Sequence, residues 1–391
     1  MRVLHAAYSL GIGGIESWLI ELLRQIRRQG KRGVTFDFYL SEPGGCFEEE
    51  ARSYGCTIYY APKLTKVQKG LELFGLYHPY GGLEALLKKE RYDVFHTHSV
   101  HSGGLQARAA ARAGVPVRVV HCHCSRYNEN DRPPAGFKGK MRYRRFLREN
   151  IPEILRYATA ITPCSSNAAR FLLGDNWRDY PQCRVIFCGM STERYRNITC
   201  KRAEVRARYG FSDENLVVGN AGRMGSLLKN QPLLIDIFGE LYRRNPRCRL
   251  FLAGDGTLRP QFMQHAKEKG LESVVLFPGY CDSAPLMTSC FDLFALPSLA
   301  GEGLPVVGME ATAGGLFTVC SDVITPDFTE TFPDRVRTVS LRAPLAEWAD
   351  ALEEGFAKKL TLEEGCRLLE ASPFSIRSSL EALLDVYQTA R

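Results

Sequence analysis

Two glutamates, Glu302 and Glu310, stand eight positions apart in the run Pro297-Ser-Leu-Ala-Gly-Glu-Gly-Leu-Pro-Val-Val-Gly-Met-Glu-Ala-Thr-Ala-Gly-Gly315. The glycine-rich half reads as a loop. Pro305 suits a first helical turn, where a fixed φ and a missing N–H cost nothing, and a helix is expected over 306–313. The N–H groups at 303–306 would then point outward, unpaired, toward an anion or a sugar hydroxyl. Glutamates near a helix start are also ordinary dipole partners, so the stretch by itself leaves both readings open.

Two cations stand in a second such loop, Gly222-Arg-Met-Gly-Ser-Leu-Leu-Lys-Asn-Gln231, between an expected strand and an expected helix. At the carboxyl edge of a sheet Arg223 and Lys229 can neutralise a diphosphate, the guanidinium as a planar fork and the ammonium as a point charge. Two solvated loop charges would look the same. Ala253-Gly-Asp-Gly256 is a tight turn at the next strand end, and Gly279-Tyr280 follows the strand after that.

Histidines gather in the first half, His96, His98 and His101 at one strand end and His121 and His123 at the next. Alternation puts His121 and His123 on one face, with Cys122 and Cys124 on the other. Zinc wants ligands that converge from a spaced pattern, whereas His-Cys-His-Cys along one strand points them apart, so no metal is expected. An ordinary buried or surface role and contact with substrate at the strand's carboxyl end both remain.

Gly11-Ile-Gly-Gly-Ile-Glu16 departs from the dinucleotide pattern G-x-G-x-x-G, because Glu16 stands where the third glycine belongs. Without Cβ atoms, Gly13 and Gly14 still let a substrate approach the backbone closely. A basic segment, 132–148, holds Arg132, Lys138, Lys140, Arg142, Arg144, Arg145 and Arg148 among Phe137, Tyr143 and Phe146. It reads as a solvated helix face or as a contact for anionic headgroups or a pyrophosphate lipid, worth on the order of 1 kcal/mol per basic residue. No nucleic-acid module is visible.

Alternating strands and helices must position these groups. Strands are expected at 2–7, 34–40, 57–60, 93–98, 117–122, 160–162 and 184–187, then at 216–221, 249–253, 274–277, 293–296 and 317–321. Helices between them indicate parallel sheets covered on both faces. The 391 residues suit two α/β domains, with a boundary near residue 195. Residues 1–195 carry 29 Lys and Arg against 18 Asp and Glu, which points that half toward an anionic partner. No run of 18 apolar residues occurs, and 13 cysteines without a C-x2-C pair suit reduced thiols in the cytosol.

Glu302-Gly-Leu-Pro followed by Glu310 resembles the E-x7-E motif of retaining glycosyltransferases of family 4, and Gly222-Arg223 through Lys229 resembles that family's Gly-Arg-x(n)-Lys motif. Many members have Gly-Phe-Gly-Leu-Pro after the first glutamate; here Gly-Leu-Pro follows at once. The resemblance implies the α/β GT-B fold, two doubly wound Rossmann-like domains facing each other across a cleft. Residues 1–195 would bind the acceptor and 196–372 the nucleotide-sugar, with a last helix at 373–391 crossing back to the first domain. Glu310 would hold the ribose and Glu302 the donor sugar, with Arg223 and Lys229 on the diphosphate. Gly254, Gly256, Tyr280, Gly303 and Leu304 would line the donor pocket, and Gly13 and Gly14 would face the diphosphate. Glu16, His98, Arg142 and Arg145 are assigned to the acceptor. His121 or His123, with Glu302, would act on the reacting sugar.

The implied reaction retains anomeric configuration through an oxocarbenium-like transition state, with a donor-phosphate oxygen taking the acceptor's proton. No Asp-x-Asp occurs, so neither metal nor other cofactor is expected and protein charge must stabilise the leaving group. Joined to Ser321-Asp-Val-Ile-Thr-Pro326, the Glu302 run looks most like bacterial transferases of capsule and exopolysaccharide synthesis. That implies transfer of a hexosyl residue from a UDP-sugar to a lipid-linked saccharide. The enzyme would be cytoplasmic, peripheral at the inner face of an anionic membrane, with no nucleic acid as partner. Two alternatives stay open, a GT-B nucleotide-sugar epimerase and a non-catalytic saccharide- or lipid-binding protein.

Overall fold

The computed structural model describes residues 1–30, 33–63, 65–68, 80–126, 136–299 and 302–390. Its contacts divide the chain into one unit of Met1–Gly189 with Ile376–Arg391 and a second of Met190–Ser375. Residues 190–195 therefore belong to the second unit.

In the first unit, β1 (Arg2–Ala7), β2 (Thr35–Leu40), β3 (Ile58–Tyr60), β4 (Val94–Thr97), β5 (Val117–Cys122) and β6 (Ala160–Pro163) form one sheet, in the order β3-β2-β1-β4-β5-β6. Every pairing is parallel. Strand order reverses between β1 and β4, which leaves a crevice at their carboxyl ends. Both faces are covered, so alternate residues go to different cores. Leu4, Ala6, Tyr39 and Phe95 join Leu83, Leu87, Ala109 and Ala110 in an apolar cluster. The opposite face carries His5, in register with His96, instead of a further aliphatic pair.

The helix Gly14–Arg28 buries Trp18, Leu19, Leu22, Leu23 and Ile26. Trp18 Nε1 donates to Ser379 Oγ of the helix Ile376–Thr389 at 2.9 Å, and Ser379 in turn donates to the Phe187 carbonyl at 2.6 Å. The strand expected at 184–187 is absent. This segment runs beside β6 and takes two bonds from it, Arg184 N to Ile161 O and Ile186 N to Pro163 O, at 3.0 and 2.9 Å, too few to extend the ladder.

The second unit repeats the plan. Its strands β7 (Leu216–Ala221), β8 (Cys248–Ala253), β9 (Val275–Gly279), β10 (Leu293–Leu296), β11 (Thr318–Ser321) and β12 (Val336–Val339) lie in the order β12-β11-β10-β7-β8-β9, all parallel. The switch here falls between β7 and β10. The edge strand β12 escapes a hydrophobic-pattern reading because it is Val-Arg-Thr-Val with the two middle residues exposed; pairing with β11 makes it a strand.

At the foot of β10, Asp292 accepts the Val217 N–H at 2.9 Å and pairs with Arg202 and the fully buried Arg206. Lys359 Nζ lies 3.8 Å from the same carboxylate and donates to the Phe291 carbonyl. Burial, reinforced by Arg202, pushes the Lys359 ammonium down to about 8. Below that pH both folded and unfolded chains hold the proton; between about 8 and 10.5 only the unfolded chain does, so stability rises across that window. Urea unfolding should show the native protein gaining on the order of 2 kcal/mol there relative to Lys359→Met.

Candidate active site

Three loops at the carboxyl ends of β7, β8 and β9 are stitched together through their backbones. Gly222 N donates to Ala253 O at 3.0 Å, Met224 N to Asp255 O at 2.8 Å, Leu258 N to Met224 O at 2.8 Å and Gly254 N to Gly279 O at 2.8 Å. The approach is too close for side chains. A Cβ on Gly254, at φ +132, would stand 2.0 Å from the Gly222 carbonyl oxygen, and one on Gly256, at φ +154, 2.3 Å from Met224. Met224 fills the floor with no exposure, which turns its neighbour Arg223 outward. Arg223 has no ion-pair or hydrogen-bond partner among the described residues.

Leu299 N donates to Leu228 O at 2.8 Å, joining the loop after β10 to this assembly. Across that joint Lys229 Nζ meets Glu302 Oε2 at 2.9 Å, with the two side chains 16% and 9% exposed. Cation and carboxylate that stand 73 residues apart in the chain thus form one partly buried pair at the switch point between β7 and β10. Ala300 and Gly301, inside the same glycine-rich run, lie outside the described residues. Gly303 and Leu304 are buried beneath the loop, and Tyr280 stands 71% exposed at the end of β9. One expectation is corrected: the Val306 N–H is not free but closes a turn onto Leu304 O at 3.0 Å, and Pro305 caps the helix Val306–Ala313 from outside it.

Glu310 lies half-buried in that helix and accepts from Ser283 Oγ at 2.9 Å. Burial raises its carboxyl above the ordinary 4.5, while the Ser283 hydroxyl, the Arg194 charge and the Tyr195 hydroxyl pull it back. Arg194 is itself fixed by Asp282 at 2.5 Å, and Tyr195 is fully buried. A carboxyl with a raised pKa loses its acceptor oxygens early as pH falls. Affinity for any ligand that donates hydrogen bonds to Glu310, measured by calorimetry, should weaken as pH falls, with a midpoint above the ordinary 4.5, and the dependence should vanish in Glu310→Gln.

In the first unit the histidines do not stay on one strand. His5 of β1, His96 and His98 at the end of β4, and His121 and His123 at the end of β5 stack on one face, with ring centroids 4.9 Å apart for His5 and His96, 5.3 Å for His96 and His121, and 4.1 Å for His121 and His123. Hydrogen bonds join His5 Nδ1 to His98 Nε2 at 3.0 Å, His98 Nδ1 to His123 Nε2 at 2.9 Å, and His96 Nε2 to His121 Nδ1 at 3.2 Å. These bonds make two separate series: His5–His98–His123 ends on Cys188, whose sulfur is 3.4 Å from His123 Nδ1, and His121–His96 ends on Tyr387, whose hydroxyl is 2.6 Å from His96 Nδ1. Burial pushes His5 and His123 down to about 3 and the others well below 6.5, with the nearby Ile186 backbone opposing this at His121. All five are neutral imidazoles at pH 7. His121 has no exposure and His98 little, whereas His123 is half-buried and reaches the surface.

The remaining sequence candidates are less concentrated. Gly13 caps the helix Gly14–Arg28 in extended conformation, and Glu16 folds back over it, so that a Cβ on Gly13 would lie 2.2 Å from Glu16 Oε2. Arg142 is exposed on the helix Phe137–Arg145, while Arg145 pairs with Glu149 at 2.8 Å. Arg132 lies outside the described residues. His101 sets its ring on Phe146 at 5.4 Å. Sequence reasoning passed over His5, Trp18, Ser283, Tyr195 and Tyr387. Of these only His5 left a signal, a polar residue within an otherwise apolar buried strand.

Residues 12–194 match the family model described as Glycosyltransferase Family 4, and residues 215–357 match that of glycosyl transferases group 1. The Bacillus subtilis protein EpsF, whose name puts it among glycosyltransferases, is 30% identical over 99% of this chain and 96% of its own. An Escherichia coli enzyme named UDP-Gal:alpha-D-GlcNAc-diphosphoundecaprenol alpha-1,3-galactosyltransferase is 26% identical over 62% of this chain and 60% of its own. The crystal structure of Anabaena Alr3699/HepE in complex with UDP superposes over 100% of both chains with a TM-score of 0.78 at 19% identity.

Proposed function

From the chain's membership of glycosyltransferase family 4, with its GT-B fold of two doubly wound sheets, we propose that it moves a hexosyl residue from a UDP-sugar to a lipid-linked saccharide, with retention. The observation that supports this most is the Lys229–Glu302 pair, held at the second unit's switch point beside an exposed, unpaired Arg223. An ammonium has three donors. With one on Glu302, Lys229 keeps two for a phosphate oxygen, while Glu302 is oriented to accept from hydroxyls of the donor sugar. Arg223 adds the planar fork that a diphosphate leaving group needs. Together they stabilise negative charge as the glycosidic C–O bond lengthens, which is where protein charge contributes most to rate.

Glu310, oriented by Ser283, is the carboxylate we assign to the ribose hydroxyls. Of the two histidines, His123 is the one we assign to substrate, since His121 has no exposed surface. The lipid-linked acceptor is supported by the excess of positive charge in residues 1–195 and by the diphospholipid acceptor of the Escherichia coli relative. Among the described residues no helix is long and apolar enough to cross a membrane. The positive charge of residues 1–195 supports a peripheral place at the cytoplasmic face, and the likeness to EpsF supports a role in capsule or exopolysaccharide synthesis. The reaction as proposed needs no metal.

UDP release from a panel of UDP-sugars, with and without a lipid-linked acceptor extract, tests this. Acceptor-dependent release from one donor, lost in Arg223→Ala and Glu310→Ala, is the expected result. Isomerisation of the free UDP-sugar without transfer would make the protein an epimerase, and absence of UDP binding would leave a non-catalytic binding protein.

A further inference from the structure

Five imidazoles from three neighbouring strands meet on one face of the first sheet, and we propose that His98, His121 and His123 form a binding site for a single divalent cation of the zinc class. These three offer ring nitrogens within 4.8 Å of one another. In each ring one nitrogen is already engaged from outside the trio. His98 Nε2 bonds His5 Nδ1 at 3.0 Å, His121 Nδ1 bonds His96 Nε2 at 3.2 Å, and His123 Nδ1 meets Cys188 Sγ at 3.4 Å. The nitrogens left over are those that would ligate. His98 Nδ1 and His123 Nε2 lie 2.9 Å apart, and His121 Nε2, fully buried, makes no hydrogen bond.

Zinc with Zn–N bonds of roughly 2.0–2.1 Å in tetrahedral geometry requires ligand nitrogens about 3.3 Å apart. The His98–His123 contact would open by a few tenths of an ångström, the His121 nitrogen, within 4.8 Å of both, would close by up to about 1.5 Å, and the stacked His121 and His123 rings, 16° from parallel, would turn so that both point at the ion. Outer hydrogen bonds of this kind fix the tautomer and ring orientation of metal-ligating histidines. His96 extends that outer layer by bonding Tyr387 at 2.6 Å, and Trp18 closes one side, its ring 5.1–6.0 Å from those of the three histidines.

A second trio, His5, His96 and His98, also brings three nitrogens within 4.8 Å, but there both nitrogens of His96 are taken, by Tyr387 and His121. The chosen trio includes the half-buried His123, which provides a path for the ion and room for a fourth ligand from solvent. Imidazoles with no carboxylate suit zinc, nickel or cobalt rather than magnesium or calcium. Two neighbouring strand ends, those of β4 and β5, bring the three ligands together.

Metal binding is read without sugar transfer, and an ion on His123 Nε2 would take the nitrogen that the substrate contact proposed above would use. The full chain, without a polyhistidine tag and stripped with chelator, is titrated with zinc chloride by calorimetry and with cobalt(II) by visible absorption. One zinc per chain is expected, and cobalt should give the intense visible bands of a tetrahedral nitrogen-ligated ion. His123→Ala and His121→Ala should each weaken zinc binding at least tenfold, His5→Phe less, and His265→Ala on the second unit not at all. Less than a tenth of an equivalent of zinc bound, or the weak spectrum of octahedral cobalt, would overturn the proposal using the native protein alone. So would an affinity that survives His123→Ala and falls in His265→Ala.

Discussion

Lys229→Ala is expected to lower kcat/KM for sugar transfer by about 10²- to 10³-fold, the range seen when one preorganised charge donor is removed from a developing anion. Two effects act in the same direction. The diphosphate loses a cation, and Glu302, whose side chain is 9% exposed, loses its ion pair with Lys229. Glu302→Ala alone should cost less, because it leaves Lys229 free to give all three donors to phosphate. The double variant should be no worse than Lys229→Ala, and the shortfall from additivity measures the pair's coupling. UDP release under single-donor conditions gives all three values. If Lys229→Ala retained more than a tenth of native activity, the lysine would be a solvated loop charge and the donor-site assignment would fail.

Gly254→Ala is expected to lower unfolding stability by about 3 kcal/mol and UDP affinity at least tenfold. The added methyl group would meet the Gly222 carbonyl oxygen at 2.0 Å, at a φ of +132 that side chains rarely adopt. To relieve the clash the Gly222 segment must retreat, taking Arg223 with it and breaking the Gly254 N–H bond to Gly279 O. Gly270→Ala is the control. Its φ is +70, but nothing lies within 4 Å of the new atom, so it should cost only about 1 kcal/mol and leave UDP binding unchanged. Urea unfolding and calorimetry separate the two glycines; equal behaviour would mean that the stitched loops do not position the donor cations.

How much of this was legible along the chain depended on how local the determining physics was. Strand-helix alternation, the loop after β7 and the Glu302–Glu310 spacing could be read directly, because each depends on residues within one turn or one strand. Composition placed the positive charge in the first half. Two differences have the same origin: β12 lacks a hydrophobic pattern and 184–187 has one, yet pairing with a neighbour, not hydrophobicity, decides an edge.

By itself the sequence determined the residue types available for chemistry and their placement at strand ends. Only the tertiary structure decided that Lys229 and Glu302 are one ion pair, that Glu310 answers to Ser283 and Tyr195, and that five histidines share one face. The reason is physical. Parallel strands are neighbours only through crossovers of tens of residues, so register between them sets which side chains meet, and no period within a single strand records it.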